Sequence, residues 1–85
     1  MTEVEQGTAA EEVLIYLISH LVEHTDQVEV EITETDSKLT MLAKVSPDDI
    51  GRVIGKRGRV ANAIRALVVA AGKKDGIDVE VEFDG

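Results

Sequence analysis

Ala10, Val13, Leu14, Leu17, Ile18 and Leu21 recur at helical spacing, so the chain opens with a helix that buries one face. Thr8 stands three residues before Glu11, the spacing of a capping box, and starts this helix, which is expected to run to about His24. Ile15, Tyr16 and Val22 fall partly outside the apolar stripe; this surplus fits either a wide core face or a partner surface. Residues 1–7 carry no periodic pattern and are expected to form a flexible tail ahead of a single domain over residues 8–85.

At Gln27 the period changes from helical to alternating. Val28, Val30 and Ile32 fall on one side and Glu29, Glu31 and Thr33 on the other, which predicts a half-buried strand to Thr35. Glu34-Thr35-Asp36-Ser37 supplies a turn, and Lys38 to Val45 forms a second strand with Leu39, Met41, Ala43 and Val45 inward, completing an antiparallel hairpin. Ser46-Pro47-Asp48-Asp49 reads as a helix start, with Ser46 as N-cap, proline at the first position and two carboxylates at the positive end. That helix is short and ends near Ile54. A further helix is expected over Arg59 to Ala71, with Val60, Ala61, Ile64, Leu67, Val68 and Ala71 apolar, Gly72 as its C-terminal cap, and Lys73 and Lys74 near its negative end. Ile77, Val79, Val81 and Phe83 then alternate with acids in a last strand.

The order is αββααβ. A connection through two helices is long enough for a right-handed crossover, so the second and third strands should be parallel neighbours. The expected fold is α+β: a three-stranded mixed sheet, second strand central, with helices packed on its apolar face. The other face should present Glu29, Glu31, Asp78, Glu80 and Glu82 and repel polyanions.

Charge divides the chain sharply. Gly51 to Lys74 holds seven basic residues and no acid, whereas the rest holds two lysines against seventeen carboxylates, a division hidden in the formal net charge of −8. Cysteine is absent, which excludes disulfides, thiolate metal sites and a cysteine nucleophile. The N-terminus lacks a basic segment before an apolar run, and no stretch is apolar enough to span a bilayer, so a soluble cytoplasmic protein without membrane association is expected. Tyr16 and Phe83 are the only aromatics, which disfavours binding modes that stack bases on aromatic platforms.

Inside the basic stretch, Gly55-Lys56-Arg57-Gly58 joins two helix patterns. Two glycines remove side chains from a backbone that can then touch a phosphate, two cations lie between them, and a helix N-terminus follows at once. Gly51 to Lys56 also contains a G-x-x-x-G-K fragment, but it is one residue short of a nucleotide phosphate loop and Arg57 stands where that loop needs Ser or Thr. A helix-hairpin-helix DNA-binding module is a closer alternative, although it normally has G-x-G and needs no flanking strands. His20 and His24 have a chelating i, i+4 spacing without a third ligand, so a solvated helix end is expected rather than a metal site. Asp48-Asp49 and Glu80/Glu82 lack an accompanying nucleophile, which leaves no catalytic residue, cofactor or small-molecule substrate to assign.

An αββααβ order with I-G-x-x-G between its last two helices resembles the type II K-homology (KH) domain. SPDDIGRVIGKRGRVANAIRALV is similar more closely to the small stand-alone bacterial KH proteins of the KhpA family. The resemblance spans about residues 8 to 84, with Val53 to Arg59 its most specific part. It implies a groove for about four nucleotides of single-stranded RNA or DNA. By the same resemblance, Gly55 and Gly58 admit the phosphates and Lys56 and Arg57 project from the loop tip. Ile54 packs inward, Arg52, Arg59 and Asn62 flank the groove, and Ala63 contributes to a small apolar floor. The resemblance also implies that the chain forms homodimers and pairs with a larger, multidomain KH protein called KhpB or Jag.

Together these readings give a non-enzymatic single-stranded RNA-binding module acting as an RNA chaperone or post-transcriptional regulator. The alternative is a protein-interaction domain working mainly through homodimerisation or pairing with the larger KH protein. Among the remaining cations, Lys44 and Arg65 read as ordinary surface charge.

Overall fold

The computed structural model describes residues 8–35 and 38–85, with side chains from Ala9 onward. The expected tail over residues 1–7, the side chain of Thr8 and the turn residues Asp36 and Ser37 lie outside the described residues. The elements are α1 (Thr8–Ser19), β1 (Glu29–Thr35), β2 (Lys38–Lys44), α2 (Ile50–Ile54), α3 (Arg59–Lys74) and β3 (Asp78–Asp84).

Strand order is β1-β2-β3. β1 and β2 are antiparallel, pairing Glu29 with Lys44 and Thr35 with Lys38, while β2 and β3 are parallel from Lys38/Asp78 to Lys44/Asp84. The α+β class, the mixed sheet and the central second strand therefore match the pattern of the sequence. On the apolar face, Leu39, Met41 and Ala43 of β2 and Val79 and Val81 of β3 are buried beneath Ala10, Leu14 and Ile18 of α1, Val53 of α2, and Ile64 and Val68 of α3. On the polar face the two lysines outside the basic stretch sit on the central strand among the acids. Lys44 Nζ donates to Glu31 at 2.7 Å, and Lys38 lies 3.6 Å from Glu80. Glu31 holds the Lys44 ammonium above its ordinary pKa through that hydrogen bond and its charge. Lys44 is thus a cross-strand partner that moderates an otherwise acidic face.

Several boundaries differ from expectation, each for a local reason. α1 ends at Ser19 instead of reaching His24, because the backbone N–H groups of Glu23 and His24 donate to the Asp49 carboxylate at 3.2 and 3.0 Å. Asp49 is accordingly buried, 1% exposed, and anchors the α1 end from its place at the N-terminus of α2. Ser46 Oγ accepts from Asp48 N–H and caps a single turn, and α2 itself begins at Ile50. α3 continues through Gly72 to Lys74. Gly72 is therefore no cap: it is buried within the helix, where an added Cβ would lie 2.5 Å from Val79 Cγ2 and 3.0 Å from the Ile77 carbonyl. Glycine is needed there because α3 presses against the start of β3.

Burial also redistributes the apolar residues. Val22, expected partly outside the helical stripe, is buried at 8% exposure because its N–H still bonds to the Ile18 carbonyl at 3.1 Å and it continues the buried i, i+4 row of Ala10, Leu14 and Ile18. Ile32 on edge strand β1 and Leu67 on α3 are exposed despite their inward pattern, at 41% and 53%. α3 packs mainly against α1 and β3, so the outer end of β1 is left uncovered. Among the described residues no helix is long and apolar enough to cross a membrane.

Candidate nucleic-acid interface

α2 terminates at Gly55, whose N–H bonds to the Gly51 carbonyl at 2.9 Å and whose φ is +76°. Only glycine fits, since a Cβ would collide with the Val60 side chain as well as suffer that backbone conformation. Lys56–Gly58 forms one tight turn, closed by Gly58 N–H on the Gly55 carbonyl at 3.2 Å. Gly58 also has positive φ, +72°, but nothing lies within 4 Å of where its Cβ would be, so its requirement is conformational alone. Arg57 between them is the one non-glycine residue of positive φ among the described residues, at φ 57° and ψ 26°.

This turn lifts the Lys56 and Arg57 side chains into solvent ahead of α3. No side chain caps the N-terminus of α3, so its first N–H groups and the positive end of its dipole face the loop. Among the described residues, Lys56, Arg57 and Arg59 have no ion pair and no side-chain hydrogen bond. Arg52 differs: its Nη1 lies 3.2 Å from Glu23 Oε2. Both partners are exposed, and such a pair contributes roughly 0–1 kcal/mol, so Arg52 can exchange it for a phosphate. Ile54 is half-buried, and the fully buried side chain of α2 is its neighbour Val53.

Asn62 and Ala63, expected on the same groove, face different sides of α3. Ala63 lines an apolar depression between α1 and α3 with Leu17, Leu21, Val60 and Leu67. Asn62 faces the β3 side, where its Oδ1 accepts from Arg65 Nη1 at 2.9 Å. Arg65, which sequence alone leaves as surface charge, is built into the structure. Its Nε donates to the Val81 carbonyl at 3.1 Å, and its guanidinium carbon lies 5.3 Å from the Phe83 ring centroid. The only signal of this in the sequence was the i, i+3 spacing of Asn62 and Arg65, because the strand it reaches is distant in the chain.

The histidines do not converge. His20 Nδ1 donates to the Tyr16 carbonyl at 2.8 Å, while His24 Nδ1 lies 3.1 Å from Asp49 Oδ2. Among the described residues no three His, Cys, Asp or Glu side chains are grouped to hold a metal ion.

Comparison with known proteins adds a family to this geometry. The family model described as "KhpA/KhpB, KH domain" matches residues 11–83. The chain is 44% identical over 73 residues to "RNA-binding protein KhpA" of Listeria monocytogenes, covering 86% of this chain and 96% of that protein. It is 40% identical to "RNA-binding protein KhpA" of Bacillus subtilis, covering 86% and 90%. Among solved structures, Aquifex aeolicus Era aligns with a TM-score of 0.59 at 17% identity, over 94% of this chain. The chain spans 31% of Era, and at that identity the likeness is one of fold. On the family match and the close relatives, this chain belongs to the KhpA/KhpB family of KH-domain proteins.

Proposed function

We propose that this chain is a single-stranded RNA-binding module in which the Gly55–Gly58 loop holds the backbone of about four nucleotides. The observation that carries the proposal is the trio of unpaired cations, Lys56, Arg57 and Arg59, placed on a tight glycine turn at the uncapped start of α3. The backbone there admits a phosphate, the helix end favours an anion, and no carboxylate in Gly51 to Lys74 competes for it. To this loop we add Arg52 and Ile54, just before it, and Asn62, one turn into α3, and the relatives' name, RNA-binding protein, is consistent with the ligand class. A soluble cytoplasmic RNA chaperone or post-transcriptional regulator is the role we assign to it. Replacing Lys56 and Arg57 together by aspartate reverses the field at the phosphate and removes no core packing. A gel shift should lose single-stranded RNA while circular dichroism stays native; a folded double variant with unchanged affinity would rule out the site.

A second reading is supported by the apolar surface shared by α1 and α3, where Tyr16 and Leu67 are 62% and 53% exposed. Leu17 and Leu67 join two adjoining depressions there, one bordered by Glu12 and the other by Arg59. We assign this surface to pairing with a second copy or with a larger KhpB/Jag-like KH protein, which would give a weakly binding domain the avidity of two loops.

A further inference from the structure

β3 is an edge strand, bonded to β2 on one side. The Asp84 carbonyl turns inward to Val45 N–H, whereas the Val81 carbonyl is met from outside by Arg65. Backbone direction alternates along a strand, so Val79, Val81 and Phe83 turn their polar groups to the open edge. Arg65 crosses from α3 to that edge with its guanidinium fixed by three neighbours: the Val81 carbonyl, Asn62 Oδ1 and the Phe83 ring. Of the five N–H donors of a guanidinium, these two hydrogen bonds use two. Three remain, on a plane whose orientation is already set.

We infer that Arg65 is a base-reading residue, presenting its remaining N–H groups to the two adjacent acceptors on the Hoogsteen edge of an unpaired guanine lying between α3 and β3. The inference rests on the proposed reading that the loop grips the RNA backbone. Arg65 stands six residues beyond Arg59, roughly 9 Å along the helix at 1.5 Å per residue, away from the loop that supplies charge for phosphates. Lys56 and Arg57 are exposed and free to follow a phosphate; Arg65 is half-buried and held, which suits a planar, two-point target. An arginine has no acceptor to offer, so it selects against bases that present a donor at the same place. Adenine sets its N6 amino group beside N7 and uracil its N3–H beside O4, whereas guanine, with O6 and N7 side by side on its Hoogsteen edge, takes two donors at once, as cytosine does only on its Watson–Crick edge. Asn62 acts as a positioning residue, keeping the fork turned toward the groove.

The test uses the full chain and three RNA decamers: oligouridine, the same strand with two central guanines, and that strand with 7-deazaguanine, which lacks only the N7 acceptor. Fluorescence anisotropy should show the guanine strand binding about tenfold tighter than oligouridine, in the range expected for a two-point base contact. The deaza strand should lose most of that gain. Arg65→Lys, which keeps the charge and loses the fork, should bind all three alike, near the wild-type value for oligouridine. A wild-type protein that does not distinguish guanine from 7-deazaguanine overturns the inference without need of a variant. An Arg65→Lys protein weakened equally on every strand overturns it in favour of a phosphate contact or a purely structural role. The Lys56→Asp/Arg57→Asp variant separates the two levels. If it loses all three strands, the loop reading stands and only the assignment of Arg65 is at stake; if it binds them like wild type, both fall.

Discussion

Arg57 holds a left-handed backbone conformation, φ 57° and ψ 26°, which disfavours a side-chain-bearing residue by roughly 1–2 kcal/mol. Glycine would fit the turn more comfortably, so what arginine contributes there is charge at the loop tip. Asp49 solves a different problem. Burial pushes its carboxyl toward the neutral form, but the N–H groups of His24 and Glu23 and the His24 imidazole together outweigh this and hold its pKa below the usual value. The same contact, led by the hydrogen bond to Asp49 and aided by Asp49, Asp48 and Glu23 charges, raises His24 above 6.5 despite partial desolvation. The signs follow from linkage. The His24 contribution is complete below the unfolded pKa of 6.5 and fades as pH rises through the raised folded value. The Asp49 contribution is present above 3.8 and is lost as pH falls through the lowered folded value. Thermal melts should therefore show a wild-type Tm that declines between about pH 6 and pH 8, with the decline reduced in His24→Gln. Equal slopes in the two proteins would show that the contact contributes nothing in that window.

Local sequence made most elements legible, because each carries its own period: the stripe of α1, the alternation of the three strands, and the glycine turn before α3. What it could not supply was contact between distant residues. The end of α1 depends on Asp49, some 25 positions away, and the place of Gly72 depends on Val79 across a turn. A glycine between a helical run and two lysines has the pattern of a cap, and only the closeness of α3 to β3 shows it as packing. The candidate loop was legible because all its parts are contiguous, while Arg65 was not, since its partners Val81 and Phe83 lie on another element. Gly72→Ala tests the packing account. A helix interior ordinarily gains from alanine by roughly 0.5–1 kcal/mol. Here the new Cβ meets Val79 and the Ile77 carbonyl, so urea unfolding should show a loss of about 1–3 kcal/mol, the cost of overpacking a tight contact. A stabilised variant would mean that α3 and β3 are not pressed together.

At the scale of the whole molecule, the two proposed surfaces should respond oppositely to salt. Two copies of a chain of net charge −8 repel one another, and salt screens that repulsion while leaving apolar burial intact. Sedimentation at micromolar concentration should show self-association that strengthens with added salt and is abolished by Leu67→Asp; association lost on adding salt would exclude the α1–α3 surface as its basis. RNA binding should weaken with salt, and only gently. A loop of this size should make few phosphate contacts, and with the acidic remainder of the chain repelling the strand the dissociation constant should be about micromolar or weaker. Single-stranded binding at the loop is the central claim, and the direct measurement is fluorescence anisotropy across a salt series with single-stranded RNA, the matching single-stranded DNA and a duplex of equal length. With two or three contacts at roughly 0.7 counterions each, binding should favour single-stranded RNA over duplex with a log–log salt slope near −2. Tighter binding to the duplex, the mode of a helix-hairpin-helix, would contradict the account even with the fold unchanged.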